Sequence, residues 1–198
     1  INIPSDYSTI QEGLDASVDG DTVLVSEGEY FENLILDKEI VLASHAINEQ
    51  LDSNWVTDQY IVGTIINGGQ HPIGSNKGSC LIIRDNDINP LIFGFTFEDG
   101  RGTDMLITDC EVTDNHQRIE RSGGGILVYN AYPDIMFNKF INNGNTSMAN
   151  TDDDIQVVTN GGAISHYDTD DVEFDEDRNS IDQNINQTRN RPTCISII

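Results

Sequence analysis

Basic residues are scarce in this chain. Lysine and arginine together number 10 against 34 aspartates and glutamates, a formal charge of −24 over 198 residues. A surface of that sign repels nucleic acid and anionic membranes. It suits bound cations, a saline medium, or a partner that is basic or uncharged, and it also serves plain solubility. Cysteine is sparse too: Cys80, Cys110 and Cys194 are an odd count that builds no disulfide framework. Cys110 sits in a strand-like stretch and reads as a buried free thiol, while a Cys80–Cys110 bridge stays open if neighbouring coils align the two. No cysteine or histidine spacing resembles a zinc site. No apolar run reaches 18 residues, so no membrane-spanning helix is expected. Hydrophobic residues make up 37%, little for a compact globule but enough where each repeating coil buries only its inward face.

What the chain does have is internal repetition. GGGILVYNAYPDIMFNKFINN, residues 123–143, recurs as GGAISHYDTDDVEFDEDRNS, residues 161–180. Gly123 aligns with Gly161 at an offset of 38, Ile126 with Ile164 and Tyr129 with Tyr167. One residue then drops out, and Ile135 aligns with Val172, Phe137 with Phe174, Asn138 with Asp175 and Asn142 with Asn179. Such an echo reads as one turn of a stacked β solenoid. The recurrent asparagines, at 115, 142, 143 and 179, read as turn residues whose amides stack from coil to coil.

Along the chain, Ser8-Thr9-Ile10-Gln11 has the form of a capping box with Ser8 as N-cap. Ile10, Leu14 and Val18 then mark one face of a short helix over 8–19, and Gly20 suits the left-handed position that ends it. Alternating apolar residues predict strands at 22–26, 33–37 and 39–44. Residues 45–60 lack alternation and read as an inserted loop carrying the single Trp55. Residues 61–69, 79–85, 90–100 and 105–115 read as strands, with Gly94 marking a tight bend or a close backbone approach. His116 to Ser122 reads as a loop holding Arg118 and Arg121, the densest basic spot. The region 181–198 reads as an irregular tail ending in a strand at CISII. No linker divides the chain, so one domain is expected over 1–198, with coils over 22–180. The opening INIPSDYSTIQ shows no leader-like segment and is expected to be a mature end left by cleavage.

The run YSTIQEGLDASVDGDTVLVSEGEYFENLILDKEIVLAS resembles the amino-terminal segment of right-handed parallel β-helix proteins, the superfamily that includes pectin-lyase-like and pectin-methylesterase-like proteins. The matching pieces are Thr9–Gln11, Gly20–Val23, and Gly28, Tyr30 and Glu32 as G-x-Y-x-E. The resemblance implies an all-β fold: a right-handed parallel β-helix with a short amino-terminal capping α-helix and long inter-coil loops. Without the family, an uncapped end coil would in any case expose apolar core and unpaired backbone groups. A β sandwich is the alternative architecture.

The chemistry is less specific. Lyases of the resembled fold use a Lys or Arg base beside calcium-binding carboxylates, and the few basic residues here are a poor match. The methylesterase-like motifs beyond G-x-Y-x-E are missing, so Tyr30 and Glu32 read as a packing and turn pair. His166 replaces Val128 in the repeat and reads as a core or ladder histidine. Asp152, Asp153, Asp154, Asp168, Asp170 and Asp171 are candidate calcium ligands, though no EF-hand or nonapeptide loop contains them, and they serve equally as a solvated acidic face. Asn145 and Asn186 head sequons and are candidate glycosylation sites. Trp55 and Tyr132 are candidate carbohydrate contacts. Ile1, Ile3, Ile195 and Ile197, on strand-like ends, are candidates for assembly with other copies of the chain by β-augmentation.

The expected function is therefore a secreted or cell-surface, non-catalytic protein with a structural or adhesive role that forms oligomers or filaments. The alternatives are a polysaccharide lyase or glycoside hydrolase, or a carbohydrate-binding module. Expected partners are copies of itself or extracellular glycans, with no nucleic acid and no membrane insertion, and calcium is the one expected cofactor.

Overall fold

The structure is a computed structural model that describes residues 1–72, 75–84, 87–107, 117–144, 155–160, 162–167, 187–189 and 195–197. Short strands dominate. After β1 (Asn2–Ile3) and helix α1 (Ile10–Ala16) the chain runs through β2 (Thr22–Val25), β3 (Gly28–Tyr30) and β4 (Leu34–Leu36). A second pass consists of β5 (Val41–Ser44), helix α2 (Gln59–Gly63), β6 (Thr64–Asn67) and β7 (Leu81–Arg84). A third has β8 (Leu91–Phe93), β9 (Thr96–Glu98), an excursion through β10 (Thr103–Ile107) and β11 (Gln117–Ser122), then β12 (Ile126–Tyr129). A fourth has β13 (Asp134–Met136), β14 (Lys139–Ile141), β15 (Ile155–Asn160) and β16 (Ile164–Tyr167), followed by β17 (Gln187–Arg189) and β18 (Ile195–Ile197).

Each pass places one strand in each of three parallel sheets, in the same rotation. The first sheet is ordered β1-β2-β5-β8-β13, the second β3-β6-β9-β14 and the third β4-β7-β12-β16-β17. The fourth sheet, β15-β11-β10-β18, differs: β10 pairs antiparallel with both β11 and β18. Among the described residues no sheet closes into a barrel.

Alternation in sequence becomes columns of inward side chains, because every second residue of a strand faces the same way. In the first sheet Val23, Leu42, Ile92 and Ile135 lie in register, and all are buried. In the second, Tyr30, Ile66, Phe97 and Phe140 form the column, with Phe97 and Phe140 stacked at 5.4 Å and 14°. In the third, Leu34, Leu81, Ile126 and Ile164 align, as do Leu36, Ile83, Val128 and His166. Each fully buried aliphatic side chain contributes about 1.5–3 kcal/mol, so these columns hold the three sheets together. The aligned repeat residues are lateral neighbours: Ile126 pairs with Ile164 and Tyr129 with Tyr167. The second half of the repeat lies outside the described residues.

The helix is shorter than expected from the sequence and starts one residue later. Thr9, not Ser8, is the N-cap, and Glu12 reaches back to the Thr9 amide while Thr9 accepts from the Glu12 amide. Ser8 donates to Glu12 instead. The helix stops at Ser17, which leaves Val18 exposed, and Gly20 (φ +87°) serves a separate turn. The stretch 45–60 is not a plain loop: 3-10 turns at His45–Asn48 and Trp55–Thr57 lead into α2, which also takes the start of the strand expected from residue 61. Residues 117–122, read as loop, form β11, and Gln187–Arg189 of the expected irregular tail forms β17 against β16.

Asn138 and Asn143 clamp backbone one pass away, while Asn115 and Asn179 lie outside the described residues. The Asn138 side chain accepts from the Phe95 amide at 2.8 Å and donates to the Ile92 carbonyl at 2.9 Å, one pass away. Asn143 likewise accepts from the Gly100 amide and donates to the Phe97 carbonyl, both at 2.8 Å. At Gly94 (φ +81°) a Cβ would lie 2.6 Å from Ser44 Oγ, so the bend and the close approach expected there coincide.

Candidate functional site

The G-x-Y-x-E phrase builds the amino-terminal end. The Glu32 carboxylate accepts from the Ile10 and Gln11 amides at 2.9 and 3.0 Å, which satisfies donors that a helix start leaves unpaired. Lys38 holds the other end, donating from Nζ to the carbonyls of Leu14, Asp15 and Ser17 at 2.7–2.9 Å. Between them, Gln11 donates to the Ile35 carbonyl at 3.1 Å and accepts from the Ile35 amide at 2.8 Å. Its amide thus pairs the edge strand β4 as another strand would. The Tyr30 hydroxyl donates to the Ser26 carbonyl at 2.9 Å, and burial, with help from the Glu32 and Glu27 charges, raises its pKa. Tyr30 and Glu32 are therefore structural members of the end cap.

Arg121, the better placed of the two arginines singled out in sequence, is not a surface base. It lies opposite Asp104 across β10 and β11, is only 2% exposed, and forms a bidentate pair at 2.5 and 2.7 Å. Cys80 is a free thiol, which removes the Cys80–Cys110 bridge. It donates to the Glu98 carbonyl at 3.3 Å, and burial pushes its pKa up to about 12. His166 Nε2 lies 3.0 Å from the Ala131 carbonyl and its ring meets Tyr132 edge-on. His45 Nε2 is 3.4 Å from Ser26 Oγ, at the outer limit of a hydrogen bond. Among the described residues no three His, Cys, Asp or Glu side chains converge as metal ligands.

The feature that faces outward is aromatic. Phe93 has the opposite parity to buried Ile92 in β8, so it projects to the outer side of the first sheet. Phe137, just after β13, stands 5.2 Å from Phe93, and Trp55 meets Phe137 at 5.6 Å with their planes at 83°. All three rings are partly exposed, and Val56 and Val62 nearby along the insertion are 40% and 42% exposed. Phe137 adopts φ +57°, a left-handed conformation that costs a bulky L-residue about 1–2 kcal/mol. The matching bend one pass earlier is Gly94. Strict alternation would send Phe137 inward with Ile135; the left-handed residue breaks the alternation and brings it beside Phe93. Sequence reading missed both phenylalanines, although the outward parity of Phe93 was there to be read.

Trp55 thus belongs to a surface cluster, whereas Tyr132 is 8% exposed and packed on His166, which leaves its ring unavailable to a sugar. Ile3 is fully buried in β1, which pairs with β2 and stands at the edge of the first sheet, and Ile1 packs on the same core. Ile195 and Ile197 lie in β18, whose backbone pairs with β10 of the same chain. Asp152, Asp153, Asp154, Asp168, Asp170, Asp171, Asn145, Asn186, Cys110 and Cys194 lie outside the described residues. No described helix is long and apolar enough to cross a membrane. Comparison with family models, with curated proteins and with solved structures finds no match.

Proposed function

We propose that this chain is a right-handed parallel β-helix, of the pectin-lyase-like kind, that acts outside the cell or at its surface as a non-catalytic adhesive scaffold. Parallel strands joined by crossovers are right-handed in nearly all known cases, which supports the handedness. The observation that carries the functional reading is the outer face of the first sheet, where Trp55, Phe93 and Phe137 gather as partly exposed rings. Rings held outward on a stack of short strands form a fixed contact surface. β1 and β18 each pair with one strand and stand at the edge of their sheets, so assembly through the terminal strands is a second route of the same reading.

The test is to offer the purified chain, with and without calcium, to immobilised glycans and immobilised basic proteins, and to assay the same glycans in solution for cleavage. Retention without turnover is expected. Release of reducing or unsaturated ends from any uronate or neutral polysaccharide would replace the scaffold with an enzyme, and retention on neither surface would remove the adhesive role.

A further inference from the structure

Resting on the reading of the outer face as a contact surface, we propose that the corner formed by Trp55, Phe93 and Phe137 binds a basic polypeptide segment, with an arginine or lysine side chain seated against the rings. Two observations choose this occupant. The first is ring geometry. Trp55 and Phe137 stand at 83° and Phe93 and Phe137 at 54°, so the rings make walls of a corner rather than one flat platform. A compact cation is attracted to any ring face it reaches within about 6 Å, whatever the angle between neighbouring rings. The second is charge. The chain carries −24, and no lysine or arginine occurs between Lys38 and Lys77, the stretch that contains Trp55 together with Glu49, Asp52 and Asp58. The nearest basic residue along the other strand of the corner is Lys139, two positions beyond Phe137 and already in the second sheet. The surrounding field therefore steers a cationic partner toward the rings and repels an anionic one. Val56, next in sequence to Trp55, is 40% exposed and offers apolar surface for the aliphatic stem of the same side chain.

Trp55 is the only tryptophan, so its fluorescence reports on the corner directly. The experiment titrates the full chain with a short arginine-rich peptide, with the same peptide in which neutral citrulline replaces arginine, and with a neutral cello-oligosaccharide. A saturable change in Trp55 emission with the arginine peptide alone is expected. Generic attraction to an acidic protein is separated by Phe137→Gly, which removes a ring at a position whose backbone favours glycine, and by Phe93→Leu. With either variant, binding of the labelled arginine peptide should weaken roughly five- to tenfold, while unchanged far-ultraviolet dichroism shows that the fold is kept. Equal binding of the citrulline peptide, unchanged affinity in a folded variant, or a Trp55 response to the oligosaccharide instead would each overturn the proposal. The adhesion assay fails or succeeds separately, because it does not depend on which ligand class the corner takes.

Discussion

Replacing Lys38 with methionine should detach the amino-terminal cap. Helix α1 has seven residues, and isolated helices below about 12–15 residues are marginal in water. It is held by burial of Ile10 and Leu14 and by side chains from the first pass at both of its ends. Lys38 Nζ donates to three terminal carbonyls at 2.7, 2.9 and 2.8 Å. A hydrogen bond to a charged group contributes about 1.5–3 kcal/mol, but the bond to Asp15 is exposed and the three share one ammonium. A total near 2 kcal/mol is therefore expected for Lys38→Met, which keeps the aliphatic stem. Glu32→Gln acts on the opposite end and should cost about 1–2 kcal/mol, because an amide can accept from only one of the two helix amides. The double variant should lose less than the sum, since a helix lifted at one end no longer uses the other. The assay is urea denaturation, combined with hydrogen exchange at the Ile35 amide, which donates to Gln11 Oε1 and is released when the helix lifts. A local loss of about 2 kcal/mol speeds that exchange roughly thirtyfold. A midpoint equivalent to less than about 0.5 kcal/mol of change, with Ile35 exchange unaltered, would refute the lock.

Two further outcomes follow from packing and burial. Gly100→Ala should cost about 3–5 kcal/mol in urea melts, because its Cβ would overlap the Gly124 carbonyl oxygen and meet Cys80 Sγ at 2.8 Å. Gly144→Ala, with nothing within 4 Å, should be close to neutral, and equal costs at the two sites would refute the close-approach argument. The Cys80 thiol, ordinarily near 9.0 and pushed up to about 12, keeps its proton in the folded state where the unfolded chain has lost it. Its stability contribution is complete below the unfolded value and is lost as pH rises through that window, at about 1.4 kcal/mol per pH unit. Melts at about pH 8 and about pH 10 should show this extra loss in the wild type and not in Cys80→Ala. A pH-independent difference between the two proteins would be the contrary result.

Most strands in the first 44 residues were legible, because one face of each is apolar and its period is two; β3, whose GEY carries no apolar alternation, was not. Val23 and Val25, then Leu34 and Leu36, are the inward residues of β2 and β4. The helix start was ambiguous for a chemical reason: Ser8 and Thr9 can both cap, and Gln11 and Glu12 can both reach back. The tie is broken by tertiary structure, since Gln11 is drawn to Ile35. The β10–β11 hairpin was not legible. QRIERS looks like loop, and nothing local indicates that Arg121 will be buried against Asp104. Breaking such a pair typically costs about 3–5 kcal/mol, so the charge is tolerated inside only through a partner 17 residues away. The aromatic corner was half legible, with Trp55 visible and the flipped Phe137 not.

The spacing between passes explains why self-comparison revealed a single echo. Gln117 to Ser122 pair in register with Ile155 to Asn160, as Ile126 to Tyr129 do with Ile164 to Tyr167, all at a separation of 38. The repeat therefore begins at Gln117, six residues before the glycines that announce it. Elsewhere the separation changes at every step of the first sheet: Thr22 to Val41 is 19, Val41 to Leu91 is 50, and Leu91 to Asp134 is 43. Only the parity and the column of inward residues stay constant, because burial constrains strands and leaves the connections free in length. The 50-residue step is the longest of the three, and it carries the insertion 45–63. That insertion packs α2 through Ile61, whose carbonyl accepts from Thr96 Oγ1 at 2.7 Å, and so fixes Trp55 beside a phenylalanine two passes further on. The extra length thus places partly exposed rings on the outside of the sheets rather than enlarging the core. An insertion anchored this way, ending in exposed rings, is where a binding role is most economically placed on a scaffold of stacked strands.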